Sequence, residues 1–103
     1  MAETMVAEVV LFGLKPGVER ETFLAAAEAT TAFLREEMGG FRERELMEDG
    51  SGRWLDVVRW ASIEEAQAAA AAFATSMRSR AFVEMIDPES MTMLHLRSAA
   101  AWH

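Results

Sequence analysis

The segment "DGSGRWLDVVRWASIEEA", residues 49–66, decides the fold. Residues 49–52 are turn formers and predict the connection of a β-hairpin, and residues 53–60, rich in aromatic and β-branched side chains, predict the returning strand. Ser62 and Glu65 then match a capping box, in which the serine hydroxyl accepts a hydrogen bond from the glutamate amide. The segment therefore predicts a hairpin strand that leads directly into a helix.

Hydrophobic spacing extends this interpretation in both directions. An apolar run that stops at the turn signal "KPG", residues 15–17, predicts a first strand, and a helical period follows it. We expect Gly39 and Gly40 to end that helix in the left-handed conformation of a C-terminal cap. The charged residues 42–45 predict a solvated part of the hairpin's first strand. The predicted strands are 5–14, 41–48, 53–60 and 91–97, the helices are 18–38 and 62–77, and a further helical turn or two lies around 79–86.

The order strand, helix, strand, strand, helix, strand is typical of an α+β, ferredoxin-like (βαββαβ) fold. In that fold a four-stranded antiparallel sheet carries two helices on one face. The length of 103 residues predicts a single domain over residues 1–103.

Composition narrows the classes of partner. The formal net charge is -7, with 10 Lys plus Arg against 17 Asp plus Glu, which argues against a nucleic acid or an anionic membrane surface as partner. The absence of cysteine excludes disulfides, thiolate catalysis and zinc sites built on cysteine. Residues 1–14 predict neither a signal peptide nor a membrane span, so we expect a cytoplasmic protein. His95 and His103 lie too far apart in sequence to predict a metal site, and His103 is expected to be a frayed end.

The alternation of side chains along the strands raises the question of what covers each face of the sheet. We expect one face to pack against the helices and the other to be open. Several large apolar side chains on an open face expose more apolar surface than a small monomer leaves in water. We therefore predict a homodimer through that face, sheet against sheet. The predicted helix-facing residues are Val9, Leu11, Leu55, Val57, Leu94 and Leu96; the predicted open face holds Val6, Glu8, Val10, Phe12, Trp54, Asp56, Val58, Trp60, Met91, Met93, His95 and Arg97.

The polar residues among these large apolar ones have two interpretations. They form ion pairs, such as Arg97 with Asp56 or Glu8, or they line a cavity that binds a small molecule. In the second case His95 or a buried Glu8 serves as a general base and Arg97 holds an oxyanion. Trp54, Trp60, Phe12, Met93 and Asp56 are then the candidate residues for binding an aromatic ligand, although packing explains the apolar ones equally well.

Three motifs resemble the dimeric α/β-barrel superfamily: "KPGV" at residues 15–18, "GGF" at residues 39–41 and "RWASIEEA" at residues 59–66. Within it, the spacing of Trp60, Ser62 and Ala66 is similar to the antibiotic biosynthesis monooxygenase (ABM) domain. The resemblance implies a homodimer whose sheets form a barrel, with a pocket between helices and sheet or in the barrel. It also implies oxygenation without cofactor, in which a general base, an oxyanion donor and a dry pocket act on a deprotonated substrate.

The haem-degrading branch of that superfamily is a poor match. Its axial histidine lies about nine residues beyond the tryptophan, where this chain has alanines between Ala68 and Ala72, and neither Asn nor Tyr occurs in the sequence. The resemblance therefore implies an ABM-like, cofactor-independent monooxygenase of a small aromatic or polyketide-like substrate. The alternative is a non-catalytic homodimer that binds a small ligand or accompanies a pathway enzyme. A regulatory amino-acid-sensing module would need an attached domain.

Overall fold

A computed structural model describes residues 5–103; residues 1–4, the start of the N-terminal stretch considered above, lie outside the described residues. The predicted order of elements is confirmed, with a short third helix and a 3-10 turn ahead of the last strand. The elements are β1 (Val6–Gly13), α1 (Arg20–Glu37), β2 (Phe41–Glu48), β3 (Arg53–Trp60), α2 (Ile63–Thr75), α3 (Arg80–Met85), the 3-10 turn (Pro88–Ser90) and β4 (Thr92–Arg97).

The four strands form one antiparallel sheet in the order β2-β3-β1-β4, which confirms the ferredoxin-like α+β class. The hairpin connection is built as its residues predict. Asp49 Oδ1 accepts hydrogen bonds from the amides of Ser51 at 2.8 Å and Arg53 at 3.2 Å. Gly50 and Gly52 have φ angles of 82° and 98°, a region that favours glycine. The turn therefore sets the register of β2 against β3.

The predicted assignment of the two sheet faces is wrong. The helices cover the face that carries Val6, Phe12, Trp54 and Trp60, all of which are buried. Both faces are apolar, so alternation alone did not identify the inner one. The helices bury the aromatic face because large rings remove more apolar area from water than aliphatic side chains do. The open face instead carries Val9, Leu11, Met47, Leu55, Val57, Leu94 and Leu96, all half-buried or exposed.

The ends of the helices give one confirmation and one correction. The Ser62 hydroxyl accepts a hydrogen bond from the Glu65 amide at 3.2 Å, so the predicted cap of α2 is confirmed. The predicted left-handed cap of α1 is wrong, because neither Gly39 nor Gly40 has a positive φ and Met38 ends the helix in an extended conformation. Gly40 is required for close approach instead, since a Cβ there would lie 2.2 Å from Glu65 Oε2.

Two clusters of side chains fill the space between helices and sheet. In the first, Phe33 of α1 and Ala69 of α2 pack over Val58 and Trp60. The second is aromatic, with the rings of Phe23 and Phe82 stacked at 5.0 Å between centroids. The small alanines of α2 leave space where the clusters meet, and that space is the candidate site.

Candidate functional site

A pocket of about 250 Å³ lies between the helices and the inner face of the sheet. Its walls are mostly apolar, and the exposed side chains of Val83, Met91 and Met93 mark the end that opens to solvent. The principal lining residues are Glu8, Val10, Phe12, Arg44, Asp56, Val58 and Trp60 from the sheet, and Leu34, Ala69, Ala70, Phe73, Phe82 and Ile86 from the helical layer and the residue that follows α3.

Glu8 and His95 form a hydrogen-bonded pair on the sheet side of this pocket. They lie directly opposite each other on β1 and β4, with Glu8 Oε2 2.9 Å from His95 Nε2. Burial raises the pKa of the Glu8 carboxyl above its usual range, and the hydrogen bond and charge of His95 oppose part of that rise. The Glu8 side chain is 13% exposed and lines the pocket, whereas His95 is 24% exposed and lies behind it. The pair therefore connects the pocket with a more exposed imidazole.

A buried ion pair between Arg44 and Asp56 forms the neighbouring part of the wall. Arg44 donates from Nε to Asp56 Oδ1 at 2.9 Å and from Nη2 to Asp56 Oδ2 at 2.6 Å. Its Nη1 donates to Thr30 Oγ1 at 2.7 Å, to Thr31 Oγ1 at 2.9 Å and to the Ala27 carbonyl at 3.1 Å. The two charged side chains are only 5% and 8% exposed. Such a bidentate pair, anchored by α1, holds the carboxylate in one orientation.

The position of Arg44 corrects two sequence-based expectations. Residues 42–45 were expected in solvent, yet the Arg44 side chain is buried. Arg97 was expected to pair with Asp56 or Glu8. Instead, Asp56 pairs with Arg44, and Glu8 pairs with His95. Arg44 shares its strand face with Leu46, opposite Val58 and Asp56, and that parity is the signal that identifies it. A carboxylate on a buried face requires a cation, and Arg44 is the cation that the hairpin register supplies.

The residues predicted to bind a ligand divide into two groups. Phe12, Asp56, Trp60 and Met93 line the pocket, whereas Trp54 is buried against the Phe23 ring in the aromatic cluster. In the described part of the chain, the indole Nε1 of Trp60 is a buried donor with no hydrogen-bond partner.

The two predicted residues near the C-terminus lie apart from the pocket. Arg97 is exposed opposite Val6 at the end of β4, outside the lining, and His103 is exposed. In residues 5–103, no cluster of His, Asp or Glu is arranged to hold a metal ion. Within the same range, no helix combines the length and the hydropathy needed to cross a bilayer. Ala69 and Ala70 of α2, which belong to the run of alanines between Ala68 and Ala72, line the pocket.

Comparison with known proteins gives solved structures only: no family model and no curated protein matches the chain. SnoaB, a cofactor-independent oxygenase from Streptomyces nogalater, matches with a TM-score of 0.69 and 17% identity over 97% of this chain and 96% of its own. A proposed antibiotic biosynthesis monooxygenase from Bordetella bronchiseptica matches with a TM-score of 0.71 and 19% identity, over 94% of this chain and 99% of its own. The chain shares their fold.

A third solved structure is similar at the level of the fold. It is a dimeric protein of unknown function and ferredoxin-like fold from Bacteroides fragilis, with a TM-score of 0.61 and 17% identity over 91% of this chain and 96% of its own. The likeness to ABM-type proteins predicted from residues 59–66 thus extends, in structure, over nearly the whole chain.

Proposed function

We propose that this protein is an ABM-like, cofactor-independent monooxygenase that acts on a small aromatic or polyketide-like substrate in the pocket. The observation that carries the proposal is the Glu8–His95 pair at the wall of an otherwise apolar cavity. The shared fold with a cofactor-independent oxygenase supports it. Convergent polar groups in apolar walls are typical of small-molecule sites.

The proposed chemistry begins with a proton transfer. The ionised Glu8 carboxylate takes a proton from an acidic hydroxyl or methylene group of the substrate, and burial favours this because it raises the pKa of the Glu8 carboxyl. His95, 2.9 Å away and partly exposed, relays the proton to solvent. The electron-rich substrate anion then reduces O2. One oxygen atom becomes the carbonyl oxygen at a ring methylene carbon, and the other leaves as water, formed with the second methylene hydrogen and a proton taken up from solvent in place of the one relayed away.

The oxyanion that forms needs a hydrogen-bond donor in the pocket. Trp60 supports this role, because its buried Nε1 has no partner among the described residues, and an unpaired buried donor costs about 1–3 kcal/mol unless something accepts from it. Arg44 is already engaged by Asp56. Arg97 was predicted for this role from the sequence. It is exposed at the end of β4, outside the pocket lining, and would contact only a ligand that extends beyond the pocket.

We propose further that the protein is a cytoplasmic homodimer joined through the open sheet face. Leu94 and Leu96 on that face are 49% and 47% exposed and Met47 is 39% exposed, which is much apolar surface for a small chain. The neighbour from Bacteroides fragilis, which is dimeric, supports the proposal of a dimer. In such a dimer the pocket of each protomer lies on the side of the sheet away from the partner.

A non-catalytic ligand-binding protein is the second candidate. The pairing of Glu8 with His95 and of Asp56 with Arg44 favours it, because each charged group on the pocket wall already has a structural partner. The pocket beside them is common to both candidates, so turnover distinguishes them.

The test combines binding and oxygen uptake. Trp102 is 87% exposed, so a Trp102→Phe background removes a solvent-exposed fluorophore and leaves Trp54 and Trp60, of which Trp60 lines the pocket. We expect saturable quenching by anthrones or naphthols, oxygen consumption with anthrone, and loss of that consumption in His95→Ala with binding retained. Binding without oxygen consumption would favour the second candidate, and the absence of any binding would contradict both.

A further inference from the structure

The charged groups around the pocket are unequally committed to partners. Arg44 is the cation in the lining, and each of its guanidinium nitrogens already donates to Asp56, Thr30, Thr31 or the Ala27 carbonyl. Arg44 and Asp56 therefore neutralise each other. Among the described lining residues no second cation is present, so the pocket offers no free positive charge to a ligand.

Glu8 is the remaining charged group. Its Oε2 lies 2.9 Å from His95, while its Oε1 accepts no hydrogen bond from the described residues. An oxygen with free lone pairs accepts from a hydroxyl donor, and a carboxylate ligand has no proton to give it. A ligand carboxylate would also be repelled by Glu8 and would lose its hydration without gaining a counter-charge.

His95 and Arg97 are the other basic groups on this face of β4, and neither lines the pocket. His95 is held behind Glu8, and Arg97 is exposed at the end of the strand. Neither one is positioned to pair with an anion inside the cavity. The volume of about 250 Å³ lies below the usual range of roughly 300–1,000 Å³ for ligand pockets, which favours a ligand of two or three rings.

We propose that the pocket selects an uncharged ring system of two or three rings with a free hydroxyl group directed at Glu8, and that it rejects analogues in which a carboxylate replaces that hydroxyl. This inference deepens the proposed function and depends on it for the location of the site. It assigns to Glu8 the selection of substrate as well as the removal of its proton.

A matched pair of probes tests this proposal: 2-naphthol and 2-naphthoate, titrated at neutral pH by tryptophan fluorescence in the chain of 103 residues. We expect naphthol to bind at least about tenfold more tightly than naphthoate, since a like charge within the low-dielectric pocket is repelled. In Glu8→Gln the affinity for naphthoate is expected to rise by about tenfold, so the difference in affinity between naphthol and naphthoate becomes smaller. Glu28→Gln removes the same charge from an exposed position of α1 and leaves both affinities unchanged.

A second variant keeps the test decisive if Glu8→Gln does not fold. Asp56→Asn removes the carboxylate that neutralises Arg44, so the affinity for naphthoate is expected to increase relative to the affinity for naphthol. Equal binding of the two probes by the wild type, or tighter binding of naphthoate, would overturn the inference and leave the pocket in place. Binding of neither probe would overturn the proposed function together with the inference.

Discussion

Removal of the Arg44 side chain tests the account of the buried wall most severely. Arg44→Met deletes five hydrogen bonds, two of them to Asp56, and leaves a carboxylate that is 6% exposed without its cation. Breaking a buried ion pair by removing one partner costs about 3–5 kcal/mol. At roughly 4–8 °C per kcal/mol for a domain of about 60–100 residues, the Tm falls by at least about 12 °C.

The assay is urea unfolding and thermal unfolding followed by circular dichroism at one fixed protein concentration, because the stability of the proposed dimer depends on concentration. Arg20→Met is the matched control: it removes an arginine that also pairs with a carboxylate, Glu48, but at an exposed position, so we expect little effect. In Arg44→Met/Asp56→Leu both charges of this pair are removed and neither is left without its partner, so we expect most of the lost stability to return. The reasoning is refuted if Arg44→Met costs no more than Arg20→Met, or if the double variant is no more stable than the single one.

Three further predictions concern other parts of the chain. Burial raises the pKa of the Glu8 carboxyl above its ordinary value of 4.5. Its contribution to the free energy of unfolding is therefore complete below that pH and is lost as the pH rises through the native pKa. Urea unfolding across this range should show this fall in stability with pH in the wild type and not in Glu8→Gln. Gly40→Ala should cost about 1–3 kcal/mol in thermal unfolding because of the contact with Glu65, whereas Gly39→Ala, with open space around it, should not. Leu94→Glu should convert the proposed dimer to a folded monomer in light scattering, and an unchanged dimeric mass would contradict the proposed open-face interface.

The hairpin and the helix after it were predictable because local chemistry specifies them. Asp49 and the glycines of the turn determine the register of the two strands, and Ser62 marks the start of α2. Both hairpin strands have the predicted bounds, 41–48 and 53–60. Local turn and cap signals agree here with the global topology, which is the condition under which sequence reasoning succeeds.

The choice of sheet face was not predictable from alternation. Val9 and Val10 are neighbours on β1, both apolar, and they point to opposite faces. The aromatic face also carries charged residues, and the cation that makes the burial of Asp56 possible, Arg44, comes from another strand, so alternation along one strand does not reveal it.

The candidate site was partly predictable. Glu8, Asp56 and His95 were identified as polar groups that share one face with large apolar residues, and that sharing is correct. Their partners could not be derived, because they depend on the register of β4 against β1 and on the depth of Arg44 under α1. The cavity itself depends on the small alanines of α2. In the sequence, such alanines predict close packing of the helix on the sheet just as well as they predict a cavity.

The most direct measurement for the central claim is the fate of isotopically labelled oxygen gas. Anthrone is incubated with the wild type, with Glu8→Gln and with Glu28→Gln, and the product is analysed by mass spectrometry against the spontaneous reaction. The account predicts one labelled oxygen atom per product molecule, formed well above the spontaneous rate by the wild type and by Glu28→Gln but not by Glu8→Gln. Product formation by Glu8→Gln at the wild-type rate, or none above the spontaneous rate in any of the three proteins, would contradict it.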